Sequence, residues 1–343
     1  MYYNLNMDLA VLGAGAWGSA ASLLLTSSKN KNHKIRIWDY DPGVVDLINK
    51  RKENTVYLPG FKMPKSIKGV KTVEEAIDEA EVIISAVPTI GLKYVSEKCA
   101  KNVSRKTRAL VSLTKGYDLL LKKRPSEIWL SVCPSLSKKF AVLSGPSHAE
   151  EVAGKKITAV SVASRDIELA RFIAKMFSNE QFRCYSSDDI AGVEIGGALK
   201  NVMAIGAGII DGLKLGNNCR SSYITRALYE MMRFGRAFLA RRETFMGLSG
   251  MGDLIVTCTS GLSRNYHVGK ELARGKKIED ISKKMVHVAE GIKTSKIVAE
   301  IAGKKKIEMP IATVIRDIVY DKKNAGDGIR ELMSRSLKDE IVL

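Results

Sequence analysis

Gly13-Ala14-Gly15-Ala16-Trp17-Gly18 sets three glycines in the G-x-G-x-x-G spacing, which suits the passage of a pyrophosphate close to the main chain. The first glycine permits a tight turn, the second lets an anion approach backbone amides, and the third lets a helix pack closely on a strand. The pattern alone is weak, because glycines also serve turns that hold no ligand. Asp39 strengthens it: it lies 21 residues beyond Gly18, where a carboxylate can accept hydrogen bonds from adenosine ribose hydroxyls. Together these residues point to a dinucleotide. Tyr40 and Asp41 follow, and a second carboxylate repels a 2′-phosphate, so NAD is favoured over NADP. Arg51 or Lys52 could still reach a 2′-phosphate, which leaves NADP open.

Such a loop works only between a strand and a helix. MDLAVLG (7–13) reads as a short buried strand, 14–27 as a helix rich in alanine and leucine, and KIRIWDY (34–40) as a second strand, which gives the order of a βαβ crossover. EVIISAV (81–87), TRALVSL (107–113), FAVLSG (140–145) and ITAVSVA (157–163) read as further strands between helical stretches. The alternation predicts an α/β fold with a mostly parallel, doubly wound Rossmann sheet. After Ser187 the pattern changes to apolar residues at three and four spacing, as in YITRALYEMMRFGRAFLARR, so the second half is expected to be all helical. The predicted division is a dinucleotide domain over 1–188 and a helical substrate domain over 189–343, with YSSDD supplying capping residues at the boundary.

Composition narrows the class. With 343 residues, 45% hydrophobic and 27% charged, the chain exceeds what one core usually serves, and two globular domains are expected. The start, MYYNLNMDLAVLG, lacks the pattern of a secretory leader, and no window approaches the ~20 apolar residues that span a bilayer; the expectation is a cytoplasmic protein without membrane insertion. Five cysteines, Cys99, Cys133, Cys184, Cys219 and Cys258, contain no C-x-x-C pair, so reduced thiols are expected and no metal site. The net charge of +18 is compatible with nucleic acid, with a small anionic substrate, or with a lysine-rich surface of no specific purpose. Nucleic acid is disfavoured, since the basic residues are scattered and aromatics make up only 6%.

Four further segments are SLTKG (112–116), LSGPSHAEEVA (143–153), GVEIGGALKNVMAIGAG (192–208) and GLSGMGDLIVTCTSGLSRNYHVG (247–269), followed by VAEGIKTS (288–295). Together with the glycine loop, they resemble the NAD(P)-dependent glycerol-3-phosphate dehydrogenase family, in order and over nearly the whole chain. The resemblance implies a Rossmann domain followed by an all-helical domain of the 6-phosphogluconate-dehydrogenase-like type. It also implies hydride exchange between NAD(P)H and dihydroxyacetone phosphate to give sn-glycerol 3-phosphate, a precursor of glycerophospholipids.

The same resemblance implies roles, each within reach of its residue type. Lys200 is the expected proton donor and acceptor, with Lys115 as a neighbouring cation that would lower the usual lysine pKa of ~10.4; even when charged, Lys200 can stabilise an alkoxide. Gly196, Gly197 and Ala198 would let a ligand approach that face of the helix. Asn201 and Asp253 would orient the lysine and the substrate, although Asn and Asp also serve as caps and turns. Ser263, Arg264 and Asn265 resemble a phosphate cradle, in which Arg supplies a planar fork. Gly145 and Ser147, with Lys115, resemble the remaining substrate contacts. Gly13, Gly15, Ala16, Trp17, Gly18, Asp39, Tyr40, Lys115, Ala149, Arg264, Val288 and Glu290 match positions that contact the cofactor, Trp17 being equally suited to packing.

Histidine is not the expected acid–base group: His33 and His287 lie in surface-like strings, His267 follows SRNY, and His148, which departs from the family motif, is expected as a structural or rim residue. Two rivals stand beside this reading. A β-hydroxyacid dehydrogenase would share the architecture and a helix-borne lysine and asparagine, but SRN and the GMGDL loop argue against it. A nucleotide-sensing or nucleic-acid-binding protein would leave the lysine pair unused. A homodimer is expected only as the commonest assembly.

Overall fold

The computed structural model describes residues 6–27, 33–283, 285, 289–337 and 339–340. The chain forms two compact units, one from residues 1–115 and 123–190 and the other from 116–122 and 191–343. Gly116–Lys122, assigned to the first domain by sequence, therefore belongs to the second unit. Tyr117 explains why: its side chain is 1% exposed, and its ring meets Phe234 edge-on at 6.4 Å. Burial of a large aromatic outweighs chain continuity here.

In the first unit, the described residues form strands β1 (Asp8–Leu12), β2 (Lys34–Trp38), β3 (Ile67–Val70), β4 (Val82–Ser85), β5 (Ala109–Ser112), β6 (Phe140–Ser144), β7 (Thr158–Ala163) and β8 (Phe182–Ser187). Their order is β3-β2-β1-β4-β5-β6-β7-β8, parallel throughout except for the antiparallel β6–β7 pair. Helices α1 (Ala16–Thr26), α2 (Pro42–Arg51), α3 (Val73–Ile77), α4 (Leu92–Asn102), α5 (Pro125–Val132), α6 (Ala149–Ala153) and α7 (Ile167–Phe177) connect them. The central strands are buried along their length, which is why they read as unbroken apolar runs. The two strands that the sequence did not reveal, β3 and β8, are the two edges. Phe182–Ser187 is largely polar and Ile67–Val70 carries Lys68 and Gly69, as suits strands with one open side.

The second unit is helical: α8 (Ile190–Gly212), α9 (Gly216–Arg236), α10 (Arg242–Met246), α11 (Asp253–Thr259), α12 (Arg264–Ala273), α13 (Ile278–Lys283), α14 (Glu290–Lys305), α15 (Pro310–Tyr320) and α16 (Ala325–Met333). The 23-residue α8 is long and apolar enough to cross a bilayer, contrary to the expectation that no such window exists. All of that window is buried inside the protein, and a helix that is apolar all round belongs in such a core. Its glycines permit unusually close crossings. A methyl group at Gly208 would collide with the Tyr266 carbonyl, and one at Gly269 with the Ile205 carbonyl, so α8 and α12 pack backbone to backbone. His33, expected at the surface, is instead buried, its Nδ1 accepting the Met7 N–H at 3.3 Å.

Glu230 ties α9 to α15. Its buried carboxylate accepts the N–H groups of Ile311 at 2.6 Å and Ala312 at 3.3 Å, in the first turn after Pro310. Burial pushes its pKa from the ordinary 4.5 up to about 7, against the pull of those amides. Since the folded-state value lies above the unfolded one, this group's stabilising share is complete below pH 4.5 and is lost as pH rises through about 7. Glu230→Gln, which cannot ionise, should therefore gain Tm relative to the parent between about pH 5 and about pH 8; a Tm difference that is flat across this range would contradict the assignment.

Candidate functional site

In the first unit the glycine loop joins β1 to α1, and each glycine answers a different steric demand. Gly13 has φ +102°, and a Cβ there would lie 2.9 Å from the Ala86 backbone at the end of β4. The same substitution at Gly18 would strike the Gly13 carbonyl oxygen. Gly15 differs, since a Cβ on it would meet nothing within 4 Å. It is the N-cap of α1, so its open side lies where backbone amides and the helix dipole attract an anion. A pyrophosphate fits a cradle of this shape.

Asp39 closes the back of the loop. Its Oδ2 accepts the Ala14 N–H at 2.7 Å and its Oδ1 the Asp41 N–H at 3.0 Å. Burial raises its pKa from 3.8, against the pull of these amides. Holding Ala14 is a duty additional to the expected ribose contact, and a carboxylate has acceptor sites for both. Tyr40 is 84% exposed beside it, while Ala16 is half-buried at the start of α1. The Trp17 indole packs against Phe182, with ring centroids 6.5 Å apart, and against the cluster of Ala20 and Leu58; this is the packing duty that was its alternative reading. At the ends of β5 and β6, Lys115 Nζ and Ser147 Oγ both donate to the Gly145 carbonyl, at 3.1 and 2.9 Å, so these three residues form one cluster. Ala149 is buried at the start of α6, and His148 occupies the N-cap position before it, half-buried.

In the second unit Lys200 and Asp253 form a buried ion pair, Nζ to Oδ1 2.7 Å, with Asp253 fully buried. Lys200 Nζ also donates to Thr257 Oγ1 at 2.9 Å, and that hydroxyl donates to the Asp253 carbonyl at 2.6 Å. Thr257 lies in the GDLIVTC segment but was not singled out from sequence. A side chain one helical turn beyond Asp253 and on the same face was the available signal. Asp253 follows a π-helical turn, Leu248–Gly252, a conformation that often marks functional sites. Gly196 does not admit a ligand: a Cβ there would lie 2.5 Å from the Ser249 carbonyl oxygen. Its missing side chain lets this turn lie against α8, one helical turn before Lys200.

The SRN segment divides its duties. Ser263 Oγ accepts the Tyr266 N–H at 3.3 Å and caps α12. Asn265 Nδ2 donates to Asn201 Oδ1 at 3.0 Å, and Asn265 Oδ1 accepts the Gly291 N–H at 2.9 Å, so this buried amide ties α12 to α8 and to the start of α14. Arg264 is exposed at the first position of α12. Glu290 begins α14, half-buried. Val288 and His287 lie outside the described residues.

Residues 8–170 match the NAD-dependent glycerol-3-phosphate dehydrogenase N-terminus, and 189–330 match the C-terminus of that family. The chain belongs to the NAD-dependent glycerol-3-phosphate dehydrogenase family. It is 40% identical over 334 residues to glycerol-3-phosphate dehydrogenase [NAD(P)+] of Bacillus thuringiensis, covering 97% of each chain. Its fold is similar to that of glycerol-3-phosphate dehydrogenase from Coxiella burnetii, with a TM-score of 0.89, 32% identity and coverage of 96% of this chain and 99% of the other. The Plasmodium falciparum structure gives a TM-score of 0.85 at 25% identity, over 98% and 97% of the two chains. In this family the open face at Gly15 has a direct consequence. Gly15→Val should fold with a Tm within roughly 2 °C of the parent, because it meets no neighbour, while losing NADH affinity by more than about tenfold through steric occlusion of the pyrophosphate. Unchanged NADH binding, measured by fluorescence titration, would remove the loop from the cofactor site.

Proposed function

We propose that this chain catalyses reversible hydride transfer between NAD(P)H and dihydroxyacetone phosphate to give sn-glycerol 3-phosphate for glycerophospholipid synthesis. The buried Lys200–Asp253–Thr257 cluster, in a chain of this family, carries the reading. Bound nicotinamide supplies or accepts the hydride at the substrate carbon. Lys200 handles the matching proton. A buried carboxylate at 2.7 Å is the counter-ion of an ammonium, so in the reducing direction Lys200 donates a proton to the substrate carbonyl oxygen and is reprotonated from water. In the oxidising direction its neutral amine takes the hydroxyl proton. Asp253 and Thr257 fix the direction in which the amine points, and this restriction replaces freedom that the substrate would otherwise have to remove.

The substrate phosphate is assigned to the first turn of α12, where the positive end of the helix dipole and the exposed Arg264 both favour an anion. Ser263 and Asn265 support this site chiefly through the cap and the α8–α14 link they already make. Lys115, Gly145 and Ser147 are assigned to the substrate from the first unit, with Lys115 also near the cofactor. Val288, Ala149 and Glu290 complete the proposed cofactor contacts. NAD is favoured over NADP because Asp39 and Asp41 together repel a 2′-phosphate. A homodimer is part of the same reading, on the frequency of two-fold assemblies. So is a cytoplasmic location, since α8, which passes the length and composition test for a bilayer span, is buried in the protein.

Loss of NADH absorbance on adding dihydroxyacetone phosphate tests the reading directly. Lys200→Ala should lower kcat by about 10²- to 10⁴-fold while NADH binding persists. Turnover that survives the substitution would displace Lys200 as the proton donor. The absence of turnover with either cofactor would overturn the substrate assignment and direct attention to carboxylate-bearing hydroxyacids.

A further inference from the structure

Asn54 lies 40 residues from the glycine loop, in the segment after α2, and is fully buried. Its Nδ2 donates to the Ala14 carbonyl at 2.6 Å and to Ser19 Oγ at 2.9 Å. Ser19 Oγ in turn donates to the same Ala14 carbonyl at 3.1 Å. On the other side of the amide, Asn54 Oδ1 accepts the Tyr57 N–H at 3.1 Å, and the Asn54 carbonyl accepts the Leu58 N–H at 2.9 Å. These partners fix which end of the amide faces the loop. Leu58 packs on Ala20 of α1, so the turn that carries Asn54 is itself anchored to the helix that the loop begins.

Ala14 is held from both ends, its N–H by Asp39 and its C=O by Asn54. A trans peptide is planar, so the C=O of Ala14 and the N–H of Gly15 point in opposite directions. Fixing that carbonyl towards Asn54 fixes the Gly15 N–H away from it. Gly15 is also the loop residue with open space beside it.

We propose that Asn54 is a positioning residue for the cofactor: it orients the Ala14–Gly15 peptide and thereby aims the Gly15 N–H at the pyrophosphate, without touching the dinucleotide itself. The proposal rests on the reading of 13–18 as the dinucleotide cradle. Removing the amide takes away the shorter of the two hydrogen bonds to the buried Ala14 carbonyl and leaves only Ser19 to hold the peptide, so binding energy that now goes to the ligand would be spent on ordering the loop.

Asn54→Ala and Asn54→Asp test this in the full-length protein. Asp keeps the side chain's shape but sets an acceptor against the Ala14 carbonyl, and it should be the more harmful of the two. Both should raise the KM and Kd for NADH by roughly tenfold or more, with kcat at saturating NADH and the KM for dihydroxyacetone phosphate within about twofold of the parent. A residue that merely filled space would tolerate the isosteric Asp and would move Tm without separating KM from kcat. If both variants fold and bind NADH as the parent does, the proposal is overturned. If neither folds, Ser19→Ala decides on the same readout. It removes the second donor to the same carbonyl and should raise the NADH KM by a few-fold, and an unchanged KM overturns the proposal. Gly15→Val separates this inference from its premise: if that variant still binds NADH, the cradle itself is misassigned, whereas loss of binding there with unaffected Asn54 variants discards Asn54 alone.

Discussion

An ammonium group inside an apolar helical core is unfavourable unless a carboxylate and further acceptors meet it at hydrogen-bond distance. That requirement organises the second unit. Lys200 lies on α8, a helix otherwise suited to burial on all sides, and Asp253 must come to it from another segment. The chain achieves this by bringing a π-helical turn against α8 where Gly196 has no side chain. Gly208 of α8 against Tyr266, and Gly291 of α14 against Asn201 of α8, are close approaches of the same kind. Glycines at these crossings therefore serve the placement of other backbones, and at Gly196 the placement of a partner of Lys200.

The first unit meets the opposite requirement, which is to hold open a space that an anion can enter. Gly13 and Gly18 are closed against neighbouring backbone, and Gly15 is open. Polar side chains stabilise this shape from behind: Asp39 and Asn54 hold the two ends of Ala14, and Ser19 reinforces the second. Each acts on a main-chain group that would otherwise be short of a partner, so the loop is ordered before any ligand arrives.

The interior of the sheet was legible because burial on both faces leaves a mainly apolar run in β1, β4, β5 and β6, and because β2 and β7 keep their apolar residues although Arg36 and Ser161 interrupt them. The edges β3 and β8 are not apolar enough to be told from loops, since one side of each faces no neighbouring strand. The glycine fingerprint and Asp39 were legible as residue types at set spacings, and Lys200 with Asp253 through the family resemblance. Two of their partners were not. Asn54 and Thr257 act through separations that only the folded chain closes. Asn265 and Ser263 look like ligand donors in the sequence, yet the structure gives them intramolecular hydrogen bonds. Gly196 was misread for a related reason: an absent side chain announces a close approach but not what approaches.

The excursion of Gly116–Lys122 into the second unit bears on the order in which the protein can be completed. During synthesis this segment emerges with the first unit, while the ring that Tyr117 packs against, Phe234, lies on α9 and is made much later. Until then the Tyr117 ring has no helical unit to join, whereas Leu119, Leu120 and Leu121 beside it stay exposed even in the finished fold. A nascent chain that stalls beyond the Rossmann sheet but short of α9 would add to those leucines an aromatic side chain that the finished fold buries.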